Sequence, residues 1–180
     1  MLVYVFLAPG FEEAEAITPY DMLLRAGLDV KTVAVSDTLG VRSAHGVLIQ
    51  ADTTIDALDS KVPDMVVLPG GMPGAKNLYE NGTVCRFVTD AAVRGAFVGA
   101  ICAAPLIPGR LGLLNGKKAT CYPGFEDQLE GAVFAGGKVV RDGTMITAAG
   151  MGAALEFGAA LVEALCGKET AERVLAQIMA

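Results

Sequence analysis

Cys102, in the stretch FVGAICAAPLIPG (97–109), is the residue of this 180-residue chain best suited to covalent chemistry. An apolar run leads into it, and two alanines and a proline follow, as expected where a buried strand turns sharply into a helix. Such a turn exposes a nucleophile, and the amides of a helix start favour its thiolate form. Free cysteine is also among the most buried residue types. The sequence therefore offers Cys102 either as a nucleophile at an elbow or as an inert core thiol.

A glycine-rich loop, LPGGMPG (68–74), follows another apolar run and could supply backbone donors. Gly70 and Gly71 have no Cβ, so a ligand can approach their backbone closely. The amides of Gly71 and Ala103 would then face an oxyanion formed at Cys102, as in acyl-transfer sites. An ordinary tight turn explains the glycines equally well. Neither GxGxxG with a ribose-binding acid nor GxxxxGK[ST] is present, which argues against nucleotide binding.

Three carboxylates, Glu12, Glu13 and Glu15, crowd the start of the first predicted helix. The helix dipole favours carboxylates there, and they are usually solvated, which suits Glu12 and Glu13. Glu15 stands between two alanines in an apolar stretch, so it is the one that could point inward. Burial would hold its carboxyl neutral and allow it to donate a hydrogen bond to a neighbouring thiolate.

His45 and Tyr122 are the remaining candidates for the site. His45 is the only histidine, so a cysteine–histidine dyad has one possible base, and a metal site with several histidines is excluded within one chain. It falls in a predicted surface hairpin, where a histidine is often incidental. Tyr122, in TCYPG, either brings a phenol to the pocket or packs at the end of a strand. The four cysteines lack CxxC pairing, so we predict no metal, no disulfide framework and no cofactor.

The elements that must position these residues alternate between short apolar runs and helical periodicity. This pattern predicts βαβ units and a mainly parallel sheet, in which ligands bind beyond the carboxyl ends of strands. Thr18 and Pro19 predict a cap with a kink or restart in the first helix. We predict a hairpin or edge excursion at 39–54, a hairpin turning at Asp142–Gly143, and two C-terminal helices. Strands are predicted at 2–8, 29–36, 64–70, 96–101, 118–122 and 144–149.

The composition of the chain limits the classes of protein to which it can belong. With 53% hydrophobic and 19% charged residues, we predict one globular domain over residues 1–180. A net charge of -6 without a run of Lys or Arg argues against a nucleic-acid partner. The apolar N-terminal run lacks a basic start and is too short for a signal or a membrane span. We therefore predict a cytoplasmic protein without a membrane partner.

Four segments, GFEEAEA, VVLPGG, GAICAAP and LEFGAALVEALCGKE, together closely resemble the ThiJ/PfpI superfamily, in the branch of the Parkinsonism-associated protein deglycase. The resemblance covers nearly the whole chain in the right order and spacing. It implies a flavodoxin-like, three-layer α/β sandwich with a mainly parallel central sheet, usually as a homodimer. It also implies that the reactive cysteine is Cys102, that the protonated glutamate bonded to it is Glu15, and that the oxyanion-hole amides belong to Gly71 and Ala103.

The chain departs from the pattern of this family at three places. Many members carry a histidine in a Thr-His-Pro context where this chain has Tyr122, and a phenol is a poor base at neutral pH. The segment GMGAA (150–154) stands where relatives have Gly-Pro-Gly and a hydroxyl residue. His45 matches a position where relatives often have arginine near the dimer interface, from which it could reach the partner's site.

Three functions agree with the sequence. The first is a cofactor-independent enzyme of the glyoxalase or deglycase type, in which Cys102 adds to a small reactive carbonyl or a glycated substrate and Gly70, Tyr122 and His45 belong to the pocket. The second is a redox sensor or chaperone with an oxidisable Cys102 and negligible turnover, which the missing histidine favours. The third is an intracellular cysteine peptidase of the PfpI type, which would need a cysteine–histidine pair.

Overall fold

A computed structural model describes residues 1–59 and 61–180 of the chain. The strands within these ranges are β1 Leu2–Leu7, β2 Asp29–Ala34, β3 Gly40–Arg42, β4 Leu48–Gln50, β5 Thr53–Thr54, β6 Met65–Leu68, β7 Phe97–Ile101, β8 Lys118–Ala119, β9 Val133–Phe134, β10 Val139–Asp142 and β11 Met145–Ala148. The helices are α1 Glu13–Arg25, α2 Gly74–Glu80, α3 Gly82–Val93, α4 Leu106–Arg110, α5 Ala154–Cys166 and α6 Lys168–Gln177. Short 3-10 turns occupy Ile55–Ala57, Glu126–Gln128 and Met151–Ala153.

The central layer is a mostly parallel sheet, with seven strands in the part of the chain that is described. Its strand order is β10-β11-β7-β6-β1-β2-β5. The edge pair of β10 and β11 is antiparallel, and the other neighbours run parallel. Strands such as β6 are buried along their whole length, because helices cover both faces of the sheet. The predicted three-layer α/β architecture is confirmed.

Each face of the sheet carries its own apolar core. Alternate residues of β1 point to opposite faces, so Val3 and Val5 belong to one core and Tyr4 and Phe6 to the other. The first core also receives side chains from α1, α5 and α6, and the second from α2, α3 and α4. Helices on both faces therefore hold the three central strands, β1, β6 and β7, in fixed relation.

The carboxyl ends of these three strands lie side by side, because β6 pairs with both β1 and β7. The loops that follow them, residues 8–12, 69–73 and 102–105, consequently meet at one edge of the sheet. Glu12 N donates to Gly70 O at 2.9 Å, which joins the first loop to the second. This is the edge where the predicted site residues were expected to gather.

Of the two alternatives predicted at Pro19, a kink or a restart, the restart is wrong. Helix α1 begins at Glu13 and continues through Pro19 to Arg25. Proline costs a helix one backbone hydrogen bond, here from residue 19 to the Glu15 carbonyl. Pro19 is buried against α5, where a Cβ on Gly158 would lie 3.3 Å from the Pro19 Cα. Close packing of the two helices offsets the missing bond and keeps α1 in one piece.

The prediction that residues 118–122 form a strand of the central sheet is also wrong. Lys118–Ala119 instead pairs in parallel with Val133–Phe134 in a separate two-stranded sheet. Thr120 N donates to the Thr147 side chain at 2.9 Å, so the chain meets β11 through a side chain instead of a backbone ladder. The segment then turns at the Pro-Gly pair after Tyr122.

Both predicted hairpins are present, with one change of register. β3 and β4 pair antiparallel within the first. In the second, Asp142 pairs with Met145, so the two loop residues are Gly143 and Thr144, and the predicted turn at Asp142–Gly143 is one residue early. Gly143 has φ 62°, as the first loop position of a tight hairpin requires. No helix in residues 1–59 and 61–180 has the length and apolarity to cross a membrane.

Candidate functional site

Cys102 lies immediately after β7, on the turn between that strand and α4. Its φ of 65° places a non-glycine residue in the left-handed region, which a side chain adopts at an energetic cost. Its backbone is held from two sides: Cys102 N donates to Ala148 O, and Tyr122 N donates to Cys102 O, each at 2.8 Å. The thiol is partly exposed. The predicted elbow position is therefore what the structure has, although α4 begins only at Leu106, too far along the chain for Cys102 to be one of its capping residues.

Glu15 is the buried acid of the site, with 1% of its surface exposed. It lies in the first turn of α1, on the face turned toward the sheet. Its Oε2 accepts a hydrogen bond from Gly70 N at 2.9 Å, and its carboxyl is in hydrogen-bonding contact with Cys102. Burial raises the pKa of Glu15 to about 7, while the contacts with Cys102 and Gly70 oppose the rise. The carboxyl is therefore poised to gain or lose a proton near neutral pH.

The expected depression of the thiol pKa is wrong for this structure. Burial raises the pKa of Cys102 to about 12, and the charge of Glu15 adds to the rise. The amides of Gly71 and Ala103 lower the pKa but do not outweigh these causes. Because α4 starts four residues later, its dipole lies beyond the residue that it was expected to activate. The resting pair therefore carries its proton on sulfur when Glu15 is ionised.

Gly71 and Ala103 both direct their backbone amides at the Cys102 sulfur. Gly71 has φ +83°, and an added Cβ would lie 2.4 Å from Glu12 N. Only glycine fits there, because the loop after β6 is pressed against the loop after β1. Gly70 is confined in the same way by Cys102 and Glu15. The structure thus brings together all four residues of the predicted catalytic set: Cys102, Glu15, Gly71 and Ala103.

Tyr122 and His45 occupy different surroundings. Tyr122 is bonded to Cys102 through its backbone, but the residue is 50% exposed, and its ring packs edge-on against Phe125 at 6.4 Å between centroids. His45 lies in the hairpin of β3 and β4, where its Nδ1 is 3.0 Å from Glu13 Oε1 and 3.7 Å from Glu12 Oε2. Within the single chain, His45 therefore contacts Glu13, the first residue of α1.

A cavity next to Tyr122 is lined by residues that no single sequence motif contains. It has a volume of about 470 Å³ and contains Lys138 and Met151 as well as Tyr122. Lys138 forms an ion pair with Glu156 at its rim. No sequence signal marks these positions, because they come together from the residue before β10, the turn after β11 and the segment after β8. Met151 belongs to the segment GMGAA, at which this chain departs from the sequence pattern of the family that it resembles.

One cluster of metal-ligating side chain types is present in the described part of the chain. Glu12, Glu13 and His45 each offer a ligand atom, and these atoms lie within 4.8 Å of one another. The hydrogen bond between His45 Nδ1 and Glu13 Oε1 explains this proximity. The cluster lies on the outward side of α1, whereas Glu15 faces inward.

These features define an α/β protein with a cysteine on a strained strand-to-helix turn and a buried carboxyl beside it. The DJ-1/PfpI family model matches residues 1–164. The chain therefore belongs to the DJ-1/PfpI family.

Individual relatives support this membership. "Protein DJ-1 homolog B" of Arabidopsis thaliana is 39% identical over 174 residues, which are 96% of this chain but 40% of the plant protein. The chain thus spans less than half of that relative. "Isonitrile hydratase" of Pseudomonas putida is 33% identical over 175 residues, 96% of this chain and 75% of that enzyme. The structure of oxidized Toxoplasma gondii DJ-1 has a TM-score of 0.95 and 36% identity, covering 99% of this chain and 97% of that one.

Proposed function

We propose that the chain is a cysteine-dependent enzyme acting on small reactive carbonyls of the 2-oxoaldehyde type, or on their early adducts. The observation that carries the proposal is the contact between Cys102 and Glu15. A buried carboxyl with a pKa of about 7 is matched to proton transfer at neutral pH. The membership of the family, which includes an enzyme named isonitrile hydratase, supports a cysteine-based activity.

In the proposed first step, the aldehyde carbon lies against Cys102 Sγ and its oxygen faces the amides of Gly71 and Ala103. As the sulfur–carbon bond forms, the carbonyl π pair moves to oxygen and the thiol proton passes to the Glu15 carboxylate. The two amides stabilise the oxyanion, because they are already oriented when the charge develops. Glu15 then returns the proton to that oxygen, which completes a hemithioacetal.

A 2-oxoaldehyde can continue from this hemithioacetal without any redox partner. Transfer of the C1 proton to C2, together with transfer of the hydroxyl proton from the C1 oxygen to the C2 oxygen, converts the hemithioacetal into a thioester. Water then hydrolyses the thioester to a 2-hydroxy acid and frees the thiol. The raised pKa of the Cys102 thiol favours its protonated form between turnovers. Attack consequently depends on Glu15 as the acceptor of the thiol proton.

The test is steady-state consumption of methylglyoxal by the wild type, by Cys102→Ser and by the matched variant Cys85→Ser. Cys85 is a partly buried cysteine on α3, a helix that contributes no residue to the candidate site. We expect the rate to fall at least about 100-fold in Cys102→Ser, because a hydroxyl in the same place is a much weaker nucleophile. Cys85→Ser should retain the wild-type rate. Equal rates for all three proteins would refute the proposal.

A second candidate is a redox protein whose Cys102 is oxidised without carbonyl turnover. It is favoured by the position of His45, the single histidine of the chain, which is paired with Glu13. The same assay separates the two functions. The redox function predicts no methylglyoxal consumption, together with a mass gain of two oxygens on Cys102 after mild peroxide treatment.

A further inference from the structure

A separate cavity of about 430 Å³ opens between α2, α4 and the 3-10 turn Glu126–Gln128. This volume is within the range of small-molecule sites. We call it the Arg110 cavity. The residues that line it include Met72, Lys76, Tyr79, Glu80, Arg110 and Phe125.

The Arg110 cavity adjoins the candidate active site from two directions. Met72, on its wall, directly follows Gly71, whose amide faces the Cys102 sulfur. Phe125, also on its wall, bonds through its backbone N to Tyr122 O at 3.0 Å, and Tyr122 N in turn bonds to Cys102 O. Helix α4, which follows the Cys102 turn, carries Arg110 at its far end, roughly 6 Å along the axis from Leu106.

Arg110 is oriented before any ligand arrives. Its Nε and Nη2 both donate to Gln128 Oε1, at 3.1 and 2.5 Å, and its guanidinium lies 5.0 Å from the centroid of the Tyr79 ring. Within residues 1–59 and 61–180, no carboxylate pairs with this guanidinium. Its remaining N–H groups form a planar edge of the kind that binds carboxylates through two parallel hydrogen bonds.

The other charges of the cavity leave it cationic. Lys76 Nζ is 3.6 Å from Glu80 Oε1, and both side chains are mostly exposed, so this pair approximately cancels. Arg110 is the charge that remains. The cavity is therefore positively charged although the chain as a whole has a net charge of -6. The rings of Tyr79 and Phe125 form apolar parts of its wall.

We propose that the Arg110 cavity binds a carboxylate of the substrate, so that the enzyme prefers reactive-carbonyl adducts carried on a carboxylate-bearing amino acid or short peptide. This preference rests on the proposed function: the bond between C1 of the adduct and its carrier breaks, the carrier takes the hydroxyl proton and leaves, and C1 becomes the aldehyde that Cys102 attacks while Arg110 holds the carboxylate. A molecule that reaches both residues must be longer than methylglyoxal, because Arg110 ends the helix that follows the Cys102 turn. The aromatic walls would cover its apolar portion while the guanidinium fixes its charged end.

Binding is tested without turnover, using hippurate as the probe and its neutral amide, hippuramide, as the matched ligand. Titrations followed by amide chemical shifts should show hippurate binding at least about 10-fold more tightly than hippuramide. Arg110→Met should weaken the binding of hippurate about 10-fold or more. Arg110→Lys should restore only part of this affinity, because an ammonium group cannot donate two parallel hydrogen bonds to a carboxylate. Arg86→Met, which alters an exposed arginine stacked on Phe87 outside the cavity, should leave hippurate binding unchanged.

Kinetics connects this site to the reaction. The methylglyoxal hemithioacetals of N-acetylcysteine and of its amide differ only in the carboxylate, and Arg110→Met should raise KM for the first about 10-fold with little change for the second. The carboxylate site would be overturned if the wild type and Arg110→Met bound hippurate with equal affinity, or if the wild type bound hippurate and hippuramide with equal affinity. Hippurate binding through Arg110 without turnover of either adduct would remove the proposed function and leave the carboxylate site standing.

Discussion

Cys102 and Glu15 are in hydrogen-bonding contact, and the charge of Glu15 raises the pKa of the thiol. Burial raises the pKa of both groups, to about 12 for the thiol and about 7 for the carboxyl. At neutral pH the pair therefore cannot hold two negative charges. The form with a thiol beside a carboxylate is ready for attack on a carbonyl, because the base that must accept the proton is already in contact.

Glu15→Gln should uncouple reactivity toward an alkylating agent from turnover. The charge of Glu15 raises the thiol pKa, so removing that charge should lower it and speed the reaction of Cys102 with iodoacetamide at pH 7.5, by about tenfold for each unit of pKa. Methylglyoxal turnover should fall, because glutamine cannot accept the thiol proton. Peptide mass spectrometry after timed labelling measures the first effect.

Glu12→Gln is the matched control for this substitution. Glu12 is a partly exposed carboxylate of the same segment whose charge raises the pKa of Glu15 only as a lesser cause. It should leave the labelling rate of Cys102 close to that of the wild type. Slower labelling in Glu15→Gln would instead mean that Glu15 stabilises the thiolate as a protonated donor.

At the scale of elements, the site is made by three loops that are pressed together at the ends of β1, β6 and β7. Gly70 is the closest point of contact. A Cβ added there would lie 2.6 Å from Cys102 Cβ, 2.6 Å from Glu15 Oε2 and 2.8 Å from Ile101 O. The space between the nucleophile and the acid is therefore set by the absence of a side chain in the loop after β6.

Gly70→Ala should separate Cys102 from Glu15. We expect the variant to lose ~1–3 kcal/mol of unfolding free energy, as overpacked sites do, and to lose most of its turnover. Gly82→Ala is the control, because its Cβ would meet nothing within 4 Å at the start of α3. Urea denaturation with activity assays measures both effects. A Gly70→Ala protein as active and stable as Gly82→Ala would show that the loops are not tightly packed.

The sequence predicts the elements better than it predicts their contacts. The central strands and the C-terminal helices were foreseeable, because long apolar runs and helical periodicity survive in any context. Residues 118–122 were not, since their apolar character comes from packing beside Cys102 and not from membership of the sheet. The continuity of α1 through Pro19 depends on close packing with α5.

The same division applies to the site. The elbow at Cys102 and the inward position of Glu15 follow from local patterns. The pKa of the thiol does not, because it depends on burial and on the charge of a residue 87 positions earlier in the chain. The Arg110 cavity likewise combines side chains from separate elements that no motif connects.

At the scale of the whole molecule, Glu15 should make folding stability depend on pH. Its pKa in the folded protein, about 7, lies above the ordinary value of 4.5, so the folded state binds more protons than the unfolded state between these values. The resulting stabilisation is complete below pH 4.5 and is lost as pH rises through 7. We expect a loss of about 3 kcal/mol over this window.

The difference in unfolding free energy between the wild type and Glu15→Gln isolates this effect from all other titrating groups. Urea denaturation at several values from pH 4.5 to 8 should show the wild type losing stability relative to the variant as pH rises. The Cys102 thiol titrates above this range, so it does not interfere. Parallel stability curves for the two proteins would mean that the Glu15 pKa is not raised by folding.

In the proposed reaction, the Glu15 carboxylate accepts the proton of Cys102 as the thiol attacks a carbonyl. The pH dependence of kcat/KM for methylglyoxal tests it most directly, because this parameter reports the ionisation of the free enzyme. We expect a rate that rises with pH through an apparent pKa of about 7, the value for Glu15, and a rising limb that is absent in Glu15→Gln. A wild-type profile that is flat from pH 5 to 9, or a rising limb that persists unchanged in Glu15→Gln, would contradict it.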